Sequence, residues 1–322
     1  MKILAVIDHH GWSFSNICEG IRKYSTHHMD IVTWDSIGMV KENTFNEVIE
    51  RSNPLAGYDV FLFLVYDGIN HICNGFRNLL RKSRCKYILG DWGDHAFELD
   101  NDLLKEGYVR AVMCGERKVY NELRVRIGGL SPLFFVKEAV DTEFYRPSES
   151  QPPDDVPFEV GWSGNFPRDN KRTHLLEDIK YPLRIQANHG KRFFVKGRDQ
   201  TEMLDFYQNI DAYIYVSTKE GGCSTTVLEA MACGLPVVCT DAGSETRNLV
   251  APEWIVPVFP EYRVMKEINE RLEILNVDKE LSRKVGRENR ERILENYTWE
   301  QRAKEFDRVF ELVMGKDNAG KQ

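Results

Sequence analysis

DAYIYVSTKEGGCSTTVLEAMACGLPVVCTD, residues Asp211 to Asp241, decides the fold. Its first eight residues, DAYIYVST, are mostly β-branched, aromatic or apolar, the composition of a buried strand. KEGG (219–222) follows as a turn whose glycines adopt positive φ without steric cost and admit a ligand close to the backbone. TTVLEAMAC (225–233) reads as a helix with Ser224 or Thr225 as its cap, and Gly234 and Pro236 stop it before the strand PVVCTD. Strand, turn, helix and strand at this spacing form a βαβ unit on a parallel sheet.

The same alternation runs outward in both directions. KILAVID, DIVTWDS, YDVFLFLVY, KYILGDW, RAVMCG and LFFVKEA read as strands, separated by amphipathic helices such as NICEGIRKYS, GINHICNGFRNLLRKS and ERKVYNELRVRI. RPSESQPPDDVP (146–157) breaks the pattern and reads as an interdomain linker. A second series then follows, with strands FEVGWSG, LRIQA, RFFVKG, DAYIYVST, PVVCTD and WIVPVF and helices NKRTHLLEDI, TEMLDFYQNI, TTVLEAMAC and SETRNLV. Two long helical patterns, DKELSRKVGRENRERILENY and WEQRAKEFDRVFELVMG, close the chain. The expected fold is α/β: two Rossmann-like domains facing a ligand cleft at the C-terminal ends of their strands. Residues 1–147 form the first domain, 148–298 the second, and 299–322 a C-terminal helix and tail that packs back toward the first.

The 322 residues suffice for two domains at about 100–200 residues each. Net charge is −7, and dividing the chain after Pro147 gives 18 basic against 20 acidic residues, then 25 against 30. Neither part has the basic excess of a dedicated nucleic-acid binder. The seven cysteines are scattered and never spaced C-x-x-C, which argues against a disulfide framework or a zinc site and for a reducing, cytoplasmic setting. VFLFLVY, the longest apolar run, is far short of the ~18 residues that span a bilayer. Basic clusters in LLRKSRCK and RVRI leave peripheral contact with anionic lipid open. His9 and His10 have no further ligands spaced to join them around a metal, and DND (100–102) reads as a helix start capped by Asp rather than as a metal-binding D-x-D.

In the opening stretch, the first N–H groups of the helix point at the crevice beyond the strand, an arrangement that binds phosphate. Glu229 lies about one turn inside that helix, where its carboxylate can accept from a pair of sugar hydroxyls. A ligand with a diphosphate in the middle and a polyol on each side suits this layout, and a nucleotide sugar is such a ligand.

STKEGGCSTTVLEAMACGLPVV (217–238) resembles the signature of the retaining family 4 (group 1) glycosyltransferases, which have the GT-B fold. VKEAVDTEFYRP (136–147) is similar to that family's exit from the N-terminal domain. VGWSGNFPRDNKR resembles its phosphate-binding segment, FFVKGRDQTEMLDFYQNIDAYIYVST the run preceding the signature, and YTWEQRAKEF its closing helix. The likeness covers the C-terminal domain and is weak over the first ~130 residues, the part that holds the acceptor. Two positions depart from the pattern. Eight residues separate Glu220 from Glu229 where the family has seven, and Trp162 stands where many members carry arginine, which leaves the positive charge to Arg168, Lys171 or Arg172.

The resemblance implies a metal-independent, hexosyltransferase-type enzyme that moves a sugar from a UDP- or GDP-linked donor to an acceptor hydroxyl, with retention and with no cofactor beyond the co-substrate. It assigns Arg168, Lys171 and the backbone at Gly221, Gly222, Ser224 and Thr225 to the donor diphosphate, and Glu229 to the ribose. Glu220 and His95 fall to the catalytic centre and the transferred sugar, Gly197 and Arg198 to the nucleobase side, and Gly11 and Ser13 to an N-terminal loop near the phosphates. The acceptor stays open among saccharide, lipid carrier, protein, small metabolite and modified nucleic acid. A sugar-nucleotide epimerase and a non-catalytic nucleotide-sugar binding protein are the alternatives on the same fold.

Overall fold

A computed structural model describes residues 1–7, 10, 13–33, 36, 54–65, 74–83, 85–91, 104–149, 156–165, 169–188, 200–219 and 224–315. The chain divides into two compact units, Met1–Glu138 with Trp299–Gln322, and Ala139–Thr298.

The first unit contains β1 (Lys2–Ile7), α1 (Ser13–Tyr24), β2 (His28–Thr33), β3 (Val60–Val65), α2 (Asn74–Lys82), β4 (Lys86–Asp91), β5 (Val109–Cys114), α3 (Arg117–Ile127) and β6 (Leu133–Phe135). Its strands form one parallel sheet in the order β2-β1-β3-β4-β5-β6. Ile3–Ile7 and Val60–Leu64 are buried residue by residue, as expected of strands covered on both faces. At the start of α3, the Glu116 carboxylate accepts from Val119 N–H at 2.7 Å, and Gly128 closes the helix at φ 55°.

Helix α9 (Trp299–Val313), the last of the chain, belongs to this unit. It lies along α1: the Trp299 indole fills the space where a Cβ at Gly20 would go, and Asp307 accepts from Ser25 Oγ at 2.5 Å, Thr26 N–H at 2.9 Å and Thr26 Oγ1 at 2.8 Å.

The second unit contains β7 (Val160–Asn165), β8 (Leu183–Asn188), α4 (Gln200–Gln208), β9 (Ala212–Tyr215), α5 (Thr225–Ala232), β10 (Val237–Thr240), α6 (Ser244–Leu249), β11 (Ile255–Val256), α7 (Glu261–Val277) and α8 (Lys279–Asn296). The sheet is parallel, in the order β8-β7-β9-β10-β11. Its first strand is central and its second lies to one side, so the order reverses between β7 and β9. Doubly wound sheets place ligands at that switch point, outside the carboxyl ends of the strands. Tyr213, Tyr215, Val237 and Leu228 sit in its core with at most 1% exposure.

Several sequence expectations change. NKRTHLLEDI is no α-helix: two 3₁₀ turns, Asp169–Lys171 and Thr173–Asp178, flank Arg172, whose left-handed φ of 44° interrupts the helical path. Helix α7 was not expected, and β11 is shorter than WIVPVF. The expected strand RFFVKG and the DND motif lie outside the described residues, as does most of the expected linker's middle. The division between units falls before Ala139 rather than after Pro147, because residues 140–146 are tied to the second unit. Val140 N–H bonds to Tyr297 O at 3.0 Å, Arg290 Nη1 to Tyr145 O at 2.7 Å, and Gln208 Nε2 to Arg146 O at 2.9 Å. No helix of the described residues is long and apolar enough to cross a membrane.

Candidate donor site at the switch point of the second sheet

Two segments leave the sheet at the switch point, one after β7 and one after β9, and hydrogen bonds join them. Asn170 O accepts from Thr218 N–H at 2.8 Å and from Ser217 Oγ at 3.0 Å, and Asn170 Nδ2 donates to Lys219 O at 3.2 Å. From below, Thr240 Oγ1 at the end of β10 donates to Ser217 O at 2.5 Å. The backbone from Ser217 to Lys219 is thereby fixed from both sides.

Lys171 follows Asn170. Its Nζ donates to Tyr215 Oη at 2.8 Å and lies 4.9 Å from the centre of that ring, which puts the ammonium toward the hydroxyl end of the tyrosine rather than squarely above its face. The half-buried cation is held at the carboxyl end of β9 by the tyrosine hydroxyl.

Arg172 does different work from its neighbour. Only 3% exposed, it donates from Nε to Val216 O at 2.7 Å and from Nη1 to Val258 O at 2.6 Å, bridging the ends of the chain leaving β9 and β11. Its guanidinium lies 5.7 Å from the Phe259 ring. Burial lowers the basicity of this group and the Glu261 charge opposes that change. Of the three cations that the sequence offered, this one serves as a backbone clamp. Trp162 explains why no charge comes from its own position: the ring is 1% exposed and covers Gly164 within the sheet core.

Ser224 precedes α5 with extended backbone (φ −62°, ψ 121°), and its hydroxyl makes no capping bond. The hydroxyl instead meets Thr226 Oγ1 at 3.0 Å. An N-terminus not capped by its own side chain retains N–H groups for an anion. The other end of α5 is anchored by α8, where Arg290 Nη1 donates to Ala232 O at 2.5 Å and Asn289 Nδ2 to Leu235 O at 2.9 Å.

Glu229 projects from the middle of α5 and is 7% exposed. Tyr207 Oη donates to its Oε2 at 2.9 Å, and the Tyr145 hydroxyl lies near the same carboxylate. Burial first, and then the charge of Glu229, push both phenols well above the usual tyrosine range, so they stay protonated and act as donors. Burial and the same carboxylate raise the Cys233 thiol to about 12. A row of hydroxyls continues from Tyr207: Ser163 Oγ is 3.5 Å from Tyr207 Oη and 3.0 Å from Tyr213 Oη, and Tyr213 Oη donates to Thr226 Oγ1 at 2.8 Å.

Of the residues singled out in the sequence, Lys171, Ser224, Thr225 and Glu229 thus fall on the two segments at the switch point or on the helix that follows. Ser13 opens α1. Gly11, His95, Arg168, Gly197, Arg198, Glu220, Gly221 and Gly222 lie outside the described residues. Sequence reasoning missed Asn170, Tyr215 and the tyrosines around Glu229. A legible signal existed for Tyr215, the last residue of a buried strand aimed at the crevice. None existed for Tyr145 and Tyr207, which are distant in sequence from Glu229.

Known proteins resemble the chain in sequence over part of its length and in fold. The glycosyl transferase-like family matches residues 172–308. An uncharacterized glycosyltransferase of Methanocaldococcus jannaschii is 24% identical over 158 residues, a match that spans 47% of this chain and 40% of that protein. Among solved structures, sucrose-phosphate synthase from Thermosynechococcus elongatus superposes with a TM-score of 0.72 at 14% identity, covering 98% of this chain and 99% of that one. A glycosyltransferase from Rickettsia africae gives 0.69 at 11% identity, over 97% and 98%. HepE from Anabaena, in complex with UDP and glucose, gives 0.66 at 13% identity, over 97% and 100%. At these identities the structural likeness is one of fold. The fold is that of the GT-B proteins, and over residues 172–308 the chain is similar to the glycosyl transferase-like family.

Proposed function

We propose that the protein transfers a sugar from a UDP- or GDP-linked donor to an acceptor hydroxyl, with retention at the anomeric carbon. One observation carries the proposal: Asn170 stitches the segment after β7 to the segment after β9, which holds Lys171 at the switch point beside the approach to α5. The UDP and glucose bound by Anabaena HepE, a protein of the same fold, support a nucleotide sugar as donor.

In this reaction the bond between the anomeric carbon and the diphosphate oxygen breaks, its electron pair leaves with the nucleoside diphosphate, and the acceptor oxygen bonds to the same carbon while its proton passes to the departing diphosphate. Charge grows on the diphosphate while the sugar becomes oxocarbenium-like, so stabilising the leaving group is the protein's main task. Lys171 and Arg168 supply positive charge, and the N–H groups from Gly221 through Thr225 supply oriented dipoles. These protein groups neutralise the leaving group without a metal. Glu229 accepts from the ribose, Glu220 contacts the transferred sugar, and Gly197 and Arg198 border the base. The first unit is assigned the acceptor.

Incubation with a panel of labelled UDP and GDP sugars tests this reading. Freed nucleoside diphosphate supports transfer, whereas an epimerised nucleotide sugar identifies an isomerase. A ligand bound but left unchanged identifies a binding protein.

A further inference from the structure

We infer that Tyr207 is a positioning residue for donor recognition: with Tyr145, its buried hydroxyl orients the Glu229 carboxylate toward the ribose of the nucleotide. This rests on the proposed function and adds a second layer of residues to it.

Three observations carry the inference. The first is the bond itself, Tyr207 Oη to Glu229 Oε2 at 2.9 Å, from a side chain with no exposed surface. The second is that neither partner is free to swing. The Tyr207 ring packs edge-on against Tyr145, Phe206 and Tyr213, with centroids 6.0, 5.1 and 5.8 Å away, and Ser163 lies beside its hydroxyl. Arg290 and Asn289 fix the helix that carries Glu229. With the backbone of Glu229 set, the bond from Tyr207 restrains the torsions of its side chain. The third is the kind of donor. Tyrosine hydroxyls leave the carboxylate its charge, whereas a lysine or arginine there would neutralise it.

A tyrosine that merely fills the core would affect stability alone. A positioning residue has a narrower effect, on the preference for a 2′-hydroxyl. The experiment measures, by calorimetry, the dissociation constants of UDP and 2′-deoxy-UDP, and of GDP and 2′-deoxy-GDP, for the wild type, Tyr207→Phe, Tyr145→Phe and Glu229→Gln, each verified as folded by circular dichroism. Wild-type protein should favour the ribonucleotide by about tenfold or more, since a site built around a hydroxyl rejects the analogue that lacks it. Glu229→Gln should abolish that preference. Tyr207→Phe should reduce it several-fold while affinity for the deoxynucleotide stays unchanged, and Tyr145→Phe should do the same to a smaller degree. Wild-type preference retained in both Phe variants would overturn the inference, and if Tyr207→Phe does not fold, Tyr145→Phe alone decides. Tight binding with no ribose preference in the wild type would overturn the inference but leave the donor reading standing. A wild type that binds neither nucleotide would bring down both.

Discussion

Arg172 donates from Nε to the carbonyl of Val216 at 2.7 Å, joining the left-handed residue after Lys171 to the first residue beyond β9. Its second bond, to Val258 O at 2.6 Å, extends the clamp to the chain leaving β11. Loss of the side chain strands two buried carbonyls, at about 1–3 kcal/mol each. Arg172→Ala is therefore expected to lower unfolding free energy in urea by about 2–4 kcal/mol. Arg172→Gly should be less harmful by roughly 1 kcal/mol, because glycine takes φ 44° without strain. Equal stability of the alanine variant and the wild type would show that the clamp contributes nothing.

Gly286 on α8 faces Gly234 at the end of α5. A Cβ at Gly286 would run into the Gly234 carbonyl and lie 3.1 Å from its carbon, atoms of the backbone that cannot rotate away. Gly286→Ala should destabilise the second unit by about 2 kcal/mol or more through overpacking, read as a lower urea midpoint at unchanged m-value. An unshifted midpoint would mean that the two helices separate freely at this crossing.

Alkaline pH should unfold the second unit through its buried acids. Cys233 has its folded pKa raised to about 12 by burial and by Glu229, against about 8.5 in an unfolded chain. Such a group contributes stability that is complete below the unfolded value and is lost as pH rises toward the folded one. Between about pH 9 and 12 the native thiol holds a proton that the unfolded chain has released. The loss is about 1.4 kcal/mol per pH unit for this one group. Cys233→Ala should make the decline in stability above pH 9 shallower by about that slope. Parallel curves for variant and wild type would rule Cys233 out as a contributor.

Lys171→Ala should lower turnover of the nucleotide sugar roughly 100-fold, the scale of losing one preorganised donor to a developing negative charge. Lys171→Arg should recover part of the loss, since the charge returns in a different shape. Steady-state assays of diphosphate release measure both. Turnover of Lys171→Ala equal to wild type would remove this residue from the mechanism.

How much of this was legible in the sequence depended on whether the cause was local. The βαβ unit from Asp211 to Asp241 was readable because turn glycines, a strand of buried residues and a Gly-x-Pro stop act within a few positions of one another. Helix α7 is equally legible in principle: Val264, Ile268, Leu272 and Leu275 repeat at helical spacing and are all buried. NKRTHLLEDI misled because its composition favours a helix while tertiary bonds from Arg172 to Val216 and Val258 hold that residue left-handed. Lys171 was identifiable by charge and by its place after β7. The setting of Glu229 was not, because Tyr145 lies 84 positions before it and only the folded sheet brings their side chains together.

The most direct test of the central claim, that the carboxyl end of the second sheet binds a nucleoside diphosphate, is a thermal unfolding screen with UDP, GDP and the other common nucleoside diphosphates. At about 100 times its dissociation constant the cognate ligand should stabilise the protein by roughly 2.7 kcal/mol, visible as a rise in melting temperature, and Lys171→Ala should weaken that response. A flat response of the wild type to every nucleoside diphosphate would contradict the account.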